Sequence, residues 1–226
     1  MNRVPISNGR TEIYLQSVSK YYGPNTVFRD LSFEIESGTV LAVIGPSGSG
    51  KTTLLNIIGL ISPPSSGRIL YIIDGKEYSD NNREINLRQY IGFSFQNPIF
   101  ISSLNVTNNL IASILEETKP EQINRIKKDI NCLLKKLGLN NIENRKPHRL
   151  SYGQKKRVDI ARALIKRPKI LILDEPTANL DRENADRVIN VIEEAKDYID
   201  IIIFSVNRDE KLMSISNKIL DITKYK

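Results

Sequence analysis

The stretch "GPSGSGKT", residues 45–52, decides the fold of this 226-residue chain. The apolar run "TVLAVI" leads into it and "KTTLLNIIGL" leads out, so the pattern predicts a buried strand, a glycine-rich loop and a helix. Glycines let the backbone turn its N–H groups inward around phosphate oxygens, and the start of a helix adds partial positive charge. The sequence therefore predicts a phosphate-binding loop. The alternative is a glycine-rich turn that only caps a helix.

The residues of this loop have separate expected tasks. Lys51 should reach the outer phosphates of a nucleotide, Thr52 should place its hydroxyl on Mg²⁺, and Thr53 should hold a phosphate oxygen. The predicted cofactors are therefore ATP and Mg²⁺. The other residues assigned to ATP binding form the turn itself: Gly45, Pro46, Ser47, Gly48, Ser49 and Gly50.

A second motif, "LILDEPTANLD" at residues 171–181, places two carboxylates after a continuously apolar strand. Ligands bind at the carboxyl ends of the strands in open α/β sheets. Because adjacent side chains leave a strand in opposite directions, Asp174 and Glu175 should have different tasks. We expect Asp174 to bind the metal and Glu175 to polarise the water that attacks the γ-phosphate. The alternative is an acidic strand end that faces solvent.

The rest of the chain alternates between strand and helix patterns. "EIYLQSVSKYYG" and "VFRDLSFEIESG" predict antiparallel strands, and "GRILYIIDGKE" predicts a hairpin. "KILILD" and "IDIIIFSV" predict strands that are buried on both faces. Helices are predicted at residues 120–137, where apolar residues recur at helical spacing, and at about residues 183–196. The predicted fold class is α/β.

Together with "LSYGQKKRVDIARAL", residues 150–164, these motifs resemble those of the ATP-binding cassette (ABC) ATPases. The resemblance runs from about residue 12 to residue 226. It implies a P-loop NTPase fold with a mixed sheet core, an N-terminal antiparallel β subdomain and an inserted helical subdomain at about residues 97–165. Residues 11–226 would form this ATPase domain, and residues 1–10 would form a flexible leader.

The family's "LSGGQ" signature lies at a helix N-terminus and holds the γ-phosphate bound to the other subunit of a head-to-tail dimer. The resemblance implies that Ser151, Gly153 and Gln154 act in this way on the partner's nucleotide. Tyr152 replaces the first glycine of the signature, which would narrow the approach to the nucleotide. The loop that crosses to the opposite subunit's site is matched by Asn179, Leu180 and Asp181.

Two further roles follow from the resemblance. Tyr22 matches the aromatic residue that stacks on adenine, whereas its neighbour Tyr21 is expected to pack inside. Gln96, in "IGFSFQNP", matches the glutamine that contacts Mg²⁺ and the attacking water and that begins the loop facing the membrane partner. The alternatives are an exposed loop tyrosine and a surface glutamine at a strand end. The implied catalytic pair is Glu175 and Gln96, and the implied Mg²⁺ ligands are Thr52, Gln96 and Asp174.

The chain's single histidine, His148, lies just before the signature and is interpreted as a local loop residue. Family members usually carry a histidine after the last core strand, where it contacts the γ-phosphate, and that region here reads "FSVNRDEK". Depending on the alignment, Val206, Asn207 or Arg208 takes its place. A lost hydrogen bond to a charged group costs about 1.5–3 kcal/mol, or on the order of 10–150-fold in rate. Because Glu175 is retained, slow turnover is expected in preference to none.

Composition sets few limits on the function. With 40% hydrophobic residues the chain can form one ordinary core, and its net charge of +7 gives little support to a nucleic-acid or membrane-surface partner. One cysteine, Cys132, excludes an intrachain disulfide framework, and the longest apolar runs are too short to span a bilayer. The expected location is therefore cytoplasmic.

Within the family, "KTTLLNIIGLISPPSSGRI", "IGFSFQNP" and "NRKPHRLSYGQ" look most like ATPase subunits of the lipoprotein-release and macrolide-export type. This implies ATP hydrolysis that drives a separate membrane permease, and a peripheral position on the inner face of the cell membrane. It also implies a second ATPase subunit, with a homodimer favoured.

Two alternatives to this function remain. The main one is a weakly hydrolysing or regulatory subunit, because the histidine is missing. A non-transport ABC ATPase acting on nucleic acid is less favoured, since no long coiled-coil insertion separates the motifs. No nucleic-acid partner is expected.

Overall fold

The chain forms two β-sheets and a set of helices, which a computed structural model describes for residues 9–79, 85–115, 119–207 and 209–226. In chain order the strands are β1 (Thr11–Tyr22), β2 (Asn25–Glu36), β3 (Thr39–Ile44), β4 (Ser66–Ile73), β5 (Lys76–Ser79), β6 (Ile91–Ser94), β7 (Ile170–Leu173), β8 (Ile201–Val206) and β9 (Lys218–Asp221). The α-helices are α1 (Lys51–Ile58), α2 (Val106–Ala112), α3 (Ile123–Lys136), α4 (Tyr152–Ile165), α5 (Arg182–Ala195) and α6 (Glu210–Ser214). Short 3₁₀ helices lie at Ile85–Tyr90, Pro120–Gln122, Pro147–Arg149 and Ile222–Tyr225. The predicted leader lies outside the described residues except for Gly9 and Arg10.

The first sheet is antiparallel, with the strand order β2-β1-β4-β5. Along the first half of β1, Thr11, Ile13 and Leu15 are buried, and the residues between them are partly exposed. This alternation arises when one face of a sheet meets a core and the other meets solvent. The predicted antiparallel strands and the predicted hairpin, formed by β4 and β5, are confirmed.

The second sheet is parallel, with the strand order β6-β7-β8-β3-β9. Every residue of β7 and β8 is buried, as expected for parallel strands that are covered on both faces. The sequence analysis did not predict β9, because this edge strand has only Ile219 and Leu220 between charged residues.

The two faces of the parallel sheet are covered by different elements. Leu41 and Val43 of β3 belong to a core that includes α1 and the antiparallel sheet. Val40 and Ala42 point the other way, into a core that includes α3, α4 and α5. The predicted helices at 120–137 and 183–196 correspond to α3 and α5, and the predicted P-loop α/β fold class is confirmed.

Four parallel strands end at one edge of the sheet. The residues that follow β3, β6, β7 and β8 are Gly45, Phe95, Asp174 and Asn207. This edge therefore gathers the phosphate loop, the acidic motif and the segment that lacks the histidine. Among the helices in the described ranges, none is long and apolar enough to span a membrane.

Candidate active site

The phosphate loop joins β3 to α1 and depends on its glycines. Gly45, Gly48 and Gly50 have φ angles of 152°, 74° and 104°, a region that L side chains rarely adopt. A Cβ atom on Gly45 would lie 2.6 Å from Ser49 Oγ, and one on Gly50 would lie 2.5 Å from Val27 Cγ1. Other residues at these positions would therefore be strained, and at Gly45 and Gly50 they would also displace neighbouring side chains.

Lys51 lies buried at the start of α1 and reaches back over the loop. Its Nζ donates to the carbonyl oxygens of Gly45 (2.7 Å) and Pro46 (3.1 Å). The neighbouring Ser49 hydroxyl is buried and has no hydrogen-bond partner in the described part of the chain. Buried polar groups are nearly always paired, so an ammonium and a spare hydroxyl in this cradle fit an anionic ligand.

The acidic motif follows β7, and Ser205 of β8 organises it. The buried Asp174 accepts a hydrogen bond from the Ser205 hydroxyl (2.6 Å), and that hydroxyl accepts one from the backbone N–H of Glu175 (2.8 Å). Glu175 has a φ of 46°, which is uncommon for a residue other than glycine. Sequence reasoning missed Ser205; the signal is a single hydroxyl in an apolar strand.

Gln96 and Glu175 are brought together from the ends of neighbouring strands. Gln96 Nε2 donates to Glu175 Oε2 at 3.1 Å. The two residues are 79 positions apart in sequence and meet because β6 pairs with β7. An amide and a carboxylate that are held together in this way can both hydrogen-bond to one water molecule lying beside them.

Mg²⁺ is implied by the family resemblance, and the donors present suit it. Thr52 is half-buried in the first turn of α1, and Asp174 and Gln96 follow adjacent strands of the same sheet. A hydroxyl, a carboxylate and an amide are hard oxygen ligands, which Mg²⁺ prefers alongside phosphate oxygens. Thr53 is half-buried beside Thr52.

Two buried charges of α4, both missed by the sequence analysis, support this edge. Lys156 is 1% exposed, and its Nζ donates to the carbonyl oxygens of Phe95 (2.7 Å) and Asp174. Burial lowers the pKa of Lys156 to about 8, although nearby carboxylates oppose the shift. The only signal in the sequence is charged residues that interrupt the apolar positions of a predicted helix.

Asp159 is the second of these charges. It is completely buried and accepts hydrogen bonds from Ser94 Oγ (3.0 Å) and the Phe95 N–H (2.8 Å). Burial raises the pKa of its carboxyl, opposed by the ion pair with Arg162 and by the two donors.

The signature forms the start of α4. Ser151 is the N-cap, and it forms a capping box with Gln154 in which each side chain bonds to the other residue's backbone N–H (3.2 and 3.1 Å). The Tyr152 hydroxyl donates to the carbonyl oxygen of Gln96 at 2.8 Å. A Cβ on Gly153 would lie 3.1 Å from Leu180 Cδ2, so the loop after the acidic motif packs closely on the signature.

That loop also begins α5. Asn179 has a left-handed backbone, with a φ of 58°. Asp181 is the N-cap and accepts hydrogen bonds from the Asn184 N–H (2.9 Å) and side chain (2.7 Å), which lower the pKa of its carboxyl. The backbone turn at Asn179 and the helix cap at Asp181 therefore define the conformation of this loop.

The segment after β8 contains the positions that could replace the missing histidine, and they differ in exposure. Val206 and Asn207 both line a cleft of about 570 Å³ together with Glu175 and Ser205. Val206 is 3% exposed and also packs in the core, whereas Asn207 is exposed. Arg208 lies outside the described residues. Both described candidates line the cleft that contains Glu175, but only Asn207 is exposed.

The remaining predicted residues lie away from this cleft. Tyr22 is exposed at the end of β1, with Lys20 Nζ 5.2 Å from its ring centroid. The prediction that Tyr21 packs inside is wrong: it is 36% exposed, because β1 extends beyond the core here. His148 is exposed in the 3₁₀ turn Pro147–Arg149 and does not line the cleft that contains Glu175.

Comparison with known proteins identifies relatives along most of the chain. Residues 28–178 match the family described as "ABC transporter". The lipoprotein-releasing system ATP-binding protein LolD of Aquifex aeolicus is 37% identical over 78% of this chain and 78% of its own length. The macrolide export ATP-binding/permease protein MacB of Mannheimia succiniciproducens is 37% identical over 93% of this chain, which spans only 33% of that protein.

A solved structure of an ATP-binding cassette has the same fold as this chain. The dimeric post-hydrolysis structure of the ATP-binding cassette MJ0796, bound to ADP and Pi, superimposes with a TM-score of 0.81 and 27% identity. The match covers 92% of this chain and 93% of that one.

Proposed function

Because this chain belongs to the ABC transporter family, whose ATP-binding subunits are ATPases, we propose that two copies of it close around two MgATP and drive a membrane permease. The permease is a separate chain, and the transport is of the export or release type, as in the lipoprotein-releasing and macrolide export relatives. The ATPase then lies on the inner face of the cell membrane and needs no nucleic-acid partner.

The hydrogen bond between Gln96 and Glu175 carries this proposal. It places a carboxylate and an amide at the sheet edge where the phosphate loop and Asp174 also lie. A water molecule bonded to both side chains passes a proton to Glu175 as its oxygen attacks the γ-phosphorus. The bond from that phosphorus to the β–γ bridging oxygen breaks, and ADP and phosphate are released. Lys51 exchanges the loop carbonyls for phosphate oxygens. Thr52, Asp174 and Gln96 would hold Mg²⁺, which would supply positive charge to the phosphates.

The second half of each site comes from the partner copy in this proposal. Ser151 and Gly153 lie at the start of α4, where the helix dipole and the backbone N–H groups of the first turn favour an anion. Leu180 packs on Gly153 and keeps the loop at 179–181 beside the signature. The dimeric state of the similar MJ0796 cassette supports this arrangement.

The segment after Gln96 supports a permease partner. Ile99 and Ile101 are exposed, and Arg162 of α4 donates to the Ile99 carbonyl oxygen (2.5 Å). Large apolar side chains that are held in place at a surface are typical of protein interfaces. We assign this segment to the contact with the permease.

A second function, a weakly hydrolysing regulatory subunit, is favoured by one observation. Asn207 occupies the cleft beside Glu175 where a histidine would contact the γ-phosphate. An asparagine amide can donate one hydrogen bond to a phosphate but carries no charge.

Two substitutions test the proposed function. The purified chain should bind and hydrolyse MgATP, and Lys51→Ala should abolish ATP binding because it removes the cation of the loop. Glu175→Gln should still bind ATP, lose turnover and accumulate as an ATP-bound dimer, because only the base is lost. The measurements are nucleotide binding, steady-state ATPase activity and size-exclusion chromatography.

Glu193→Gln, on the exposed face of α5, is the matched control and should keep parental turnover. Undiminished ATP binding by Lys51→Ala, or normal turnover by Glu175→Gln, would contradict the proposal. ATP binding without turnover by the parent chain would favour the regulatory subunit.

A further inference from the structure

One face of α4 contacts three consecutive residues at the end of β6. Tyr152, Lys156 and Asp159 are four and three positions apart, so they lie on the same side of the helix. The Tyr152 hydroxyl bonds to the Gln96 carbonyl (2.8 Å), and Lys156 bonds to the Phe95 carbonyl (2.7 Å). Asp159 accepts from the Phe95 N–H (2.8 Å) and from the Ser94 hydroxyl (3.0 Å). The helix thus holds the backbone immediately before and at Gln96.

The three contacts differ in how firmly they are held. Lys156 and Asp159 are buried, and Lys156 also bonds to the Asp174 carbonyl, so these two residues join α4 to the sheet through contacts that water does not reach. Tyr152 is 40% exposed and lies in the first turn of α4. A neutral hydrogen bond at such a position changes an equilibrium by only about 2- to 12-fold, so it can open and close during a reaction.

We propose that Tyr152 is a positioning residue for ATP hydrolysis, whose hydroxyl holds the Gln96 backbone and so sets the Gln96 side chain against Glu175. The inference rests on the proposed function, because it assigns Gln96 and Glu175 to the attacking water. Since Tyr152 follows Ser151 directly, the contact also joins this water site to the helix start that receives the partner's nucleotide. The partner's nucleotide, bound at Ser151, thereby affects the Gln96–Glu175 pair that acts on this chain's own nucleotide.

The test compares Tyr152→Phe with Tyr198→Phe, which removes the hydroxyl of another exposed tyrosine in the turn after α5. Tyr152→Phe keeps the ring and loses only the hydrogen bond. We expect kcat to fall by about 2- to 12-fold with KM for ATP within about twofold, because the hydroxyl acts on the water site and does not bind the chain's own nucleotide. Tyr198→Phe should leave both constants unchanged.

A double substitution shows whether Tyr152 acts through Gln96. In a Gln96→Ala background, Tyr152→Phe should cause no further loss of kcat, because there is no amide left to position. If Tyr152→Phe lowered kcat by the same factor in the Gln96→Ala background as in the parent, the inference would be overturned. An unchanged kcat in the single Tyr152→Phe variant would also overturn it. An enlarged KM with kcat unchanged would also overturn it, since it would indicate a nucleotide contact.

A measurement that does not depend on ATP turnover distinguishes a failure of this inference from a failure of the proposed function. The Gln96 carbonyl and the Asn97 N–H belong to one peptide group, so losing the hydrogen bond should shift the Asn97 amide resonance in Tyr152→Phe and not in Tyr198→Phe. An unshifted resonance would refute the contact. A parent chain that binds ATP but does not hydrolyse it would instead refute the assignment of Gln96 and Glu175.

Discussion

At the residue scale, the acidic motif shows how one hydroxyl fixes two carboxylates. Ser205 donates to Asp174 and accepts from the Glu175 N–H, so the backbone of Glu175 is held in its left-handed conformation. Such conformations cost on the order of 1–3 kcal/mol and persist where neighbouring contacts hold them. The result is that adjacent side chains serve different partners: Asp174 bonds to Ser205, and Glu175 bonds to Gln96.

The segment after β8 gives a prediction at the same scale. Asn207→His should raise turnover, because an imidazole in the cleft beside Glu175 adds a cationic donor near the γ-phosphate. The expected gain in steady-state ATPase activity is on the order of 10-fold, the lower end of what one hydrogen bond to a charged group contributes. Val206→His is the matched comparison and should give no gain, since Val206 is buried in the core. A larger gain from Val206→His than from Asn207→His would refute the assignment, and Arg208→His completes the series.

At the element scale, α4 contributes both to the core and to the site. Val158, Ile160 and Leu164 pack in one core, while Lys156 and Asp159 extend to the ends of β6 and β7. A buried charge that loses its partner is strongly destabilising, so these residues hold the helix in one register on the sheet. The capping box at Ser151 and Gln154 fixes its first turn.

Lys156 makes the stability of this element dependent on pH. Its pKa is about 8 in the folded chain, against 10.5 for an ordinary lysine, because burial disfavours the charged form. Between these values the unfolded chain binds more protons, so the free energy of unfolding should rise with pH. Relative to Lys156→Gln, the parent should gain on the order of 2 kcal/mol between about pH 7.5 and about pH 9.5.

Denaturant unfolding at several pH values measures this difference. Lys135→Gln, on the exposed surface of α3, is the control and should follow the parent at every pH. If parent and Lys156→Gln differ by a constant amount across the range, the lysine does not titrate there and its burial has a smaller effect than we infer.

At the scale of the whole molecule, each nucleotide site of the proposed dimer is built from two different chains. The phosphate loop follows β3 and the signature opens α4, and in the proposal each nucleotide contacts the loop of one chain and the signature of the other. Lys51→Ala and Ser151→Arg should therefore each silence a homodimer of that variant. Mixed in equal amounts, they form heterodimers in which one site contains both substitutions and the other contains neither.

The mixture should recover about a quarter of parental turnover, because random pairing makes half of the dimers heterodimers and each has one intact site. Steady-state ATPase activity of the mixed and separate variants measures this recovery. A mixture as inactive as its components would show that the two residues act within one chain. Recovery also shows that both variants fold, although Ser151→Arg removes a helix cap.

Local patterns in the sequence determined most of the fold and the phosphate loop. The strand, loop and helix around residues 45–52, the antiparallel strands and the helices α3 and α5 were all predicted, because apolar periodicity and glycine positions act over short distances. Asp174 and Glu175 were also assigned from their motif and Gln96 from the family resemblance, and their roles stay predictions. The edge strand β9 and the exposure of Tyr21 were not predicted, because edge strands and strand ends lack a strong burial pattern.

Only the tertiary structure decided which residues meet at the site. Ser205, Lys156 and Asp159 have no motif, and their contacts join positions that are 18 to 65 residues apart. Such contacts depend on the order of the parallel strands and on the face that α4 turns toward them, and neither is encoded locally. The same cause explains Tyr152: in sequence it is a substituted signature residue, and in the fold it bonds to the Gln96 backbone, because α4 packs across the end of β6.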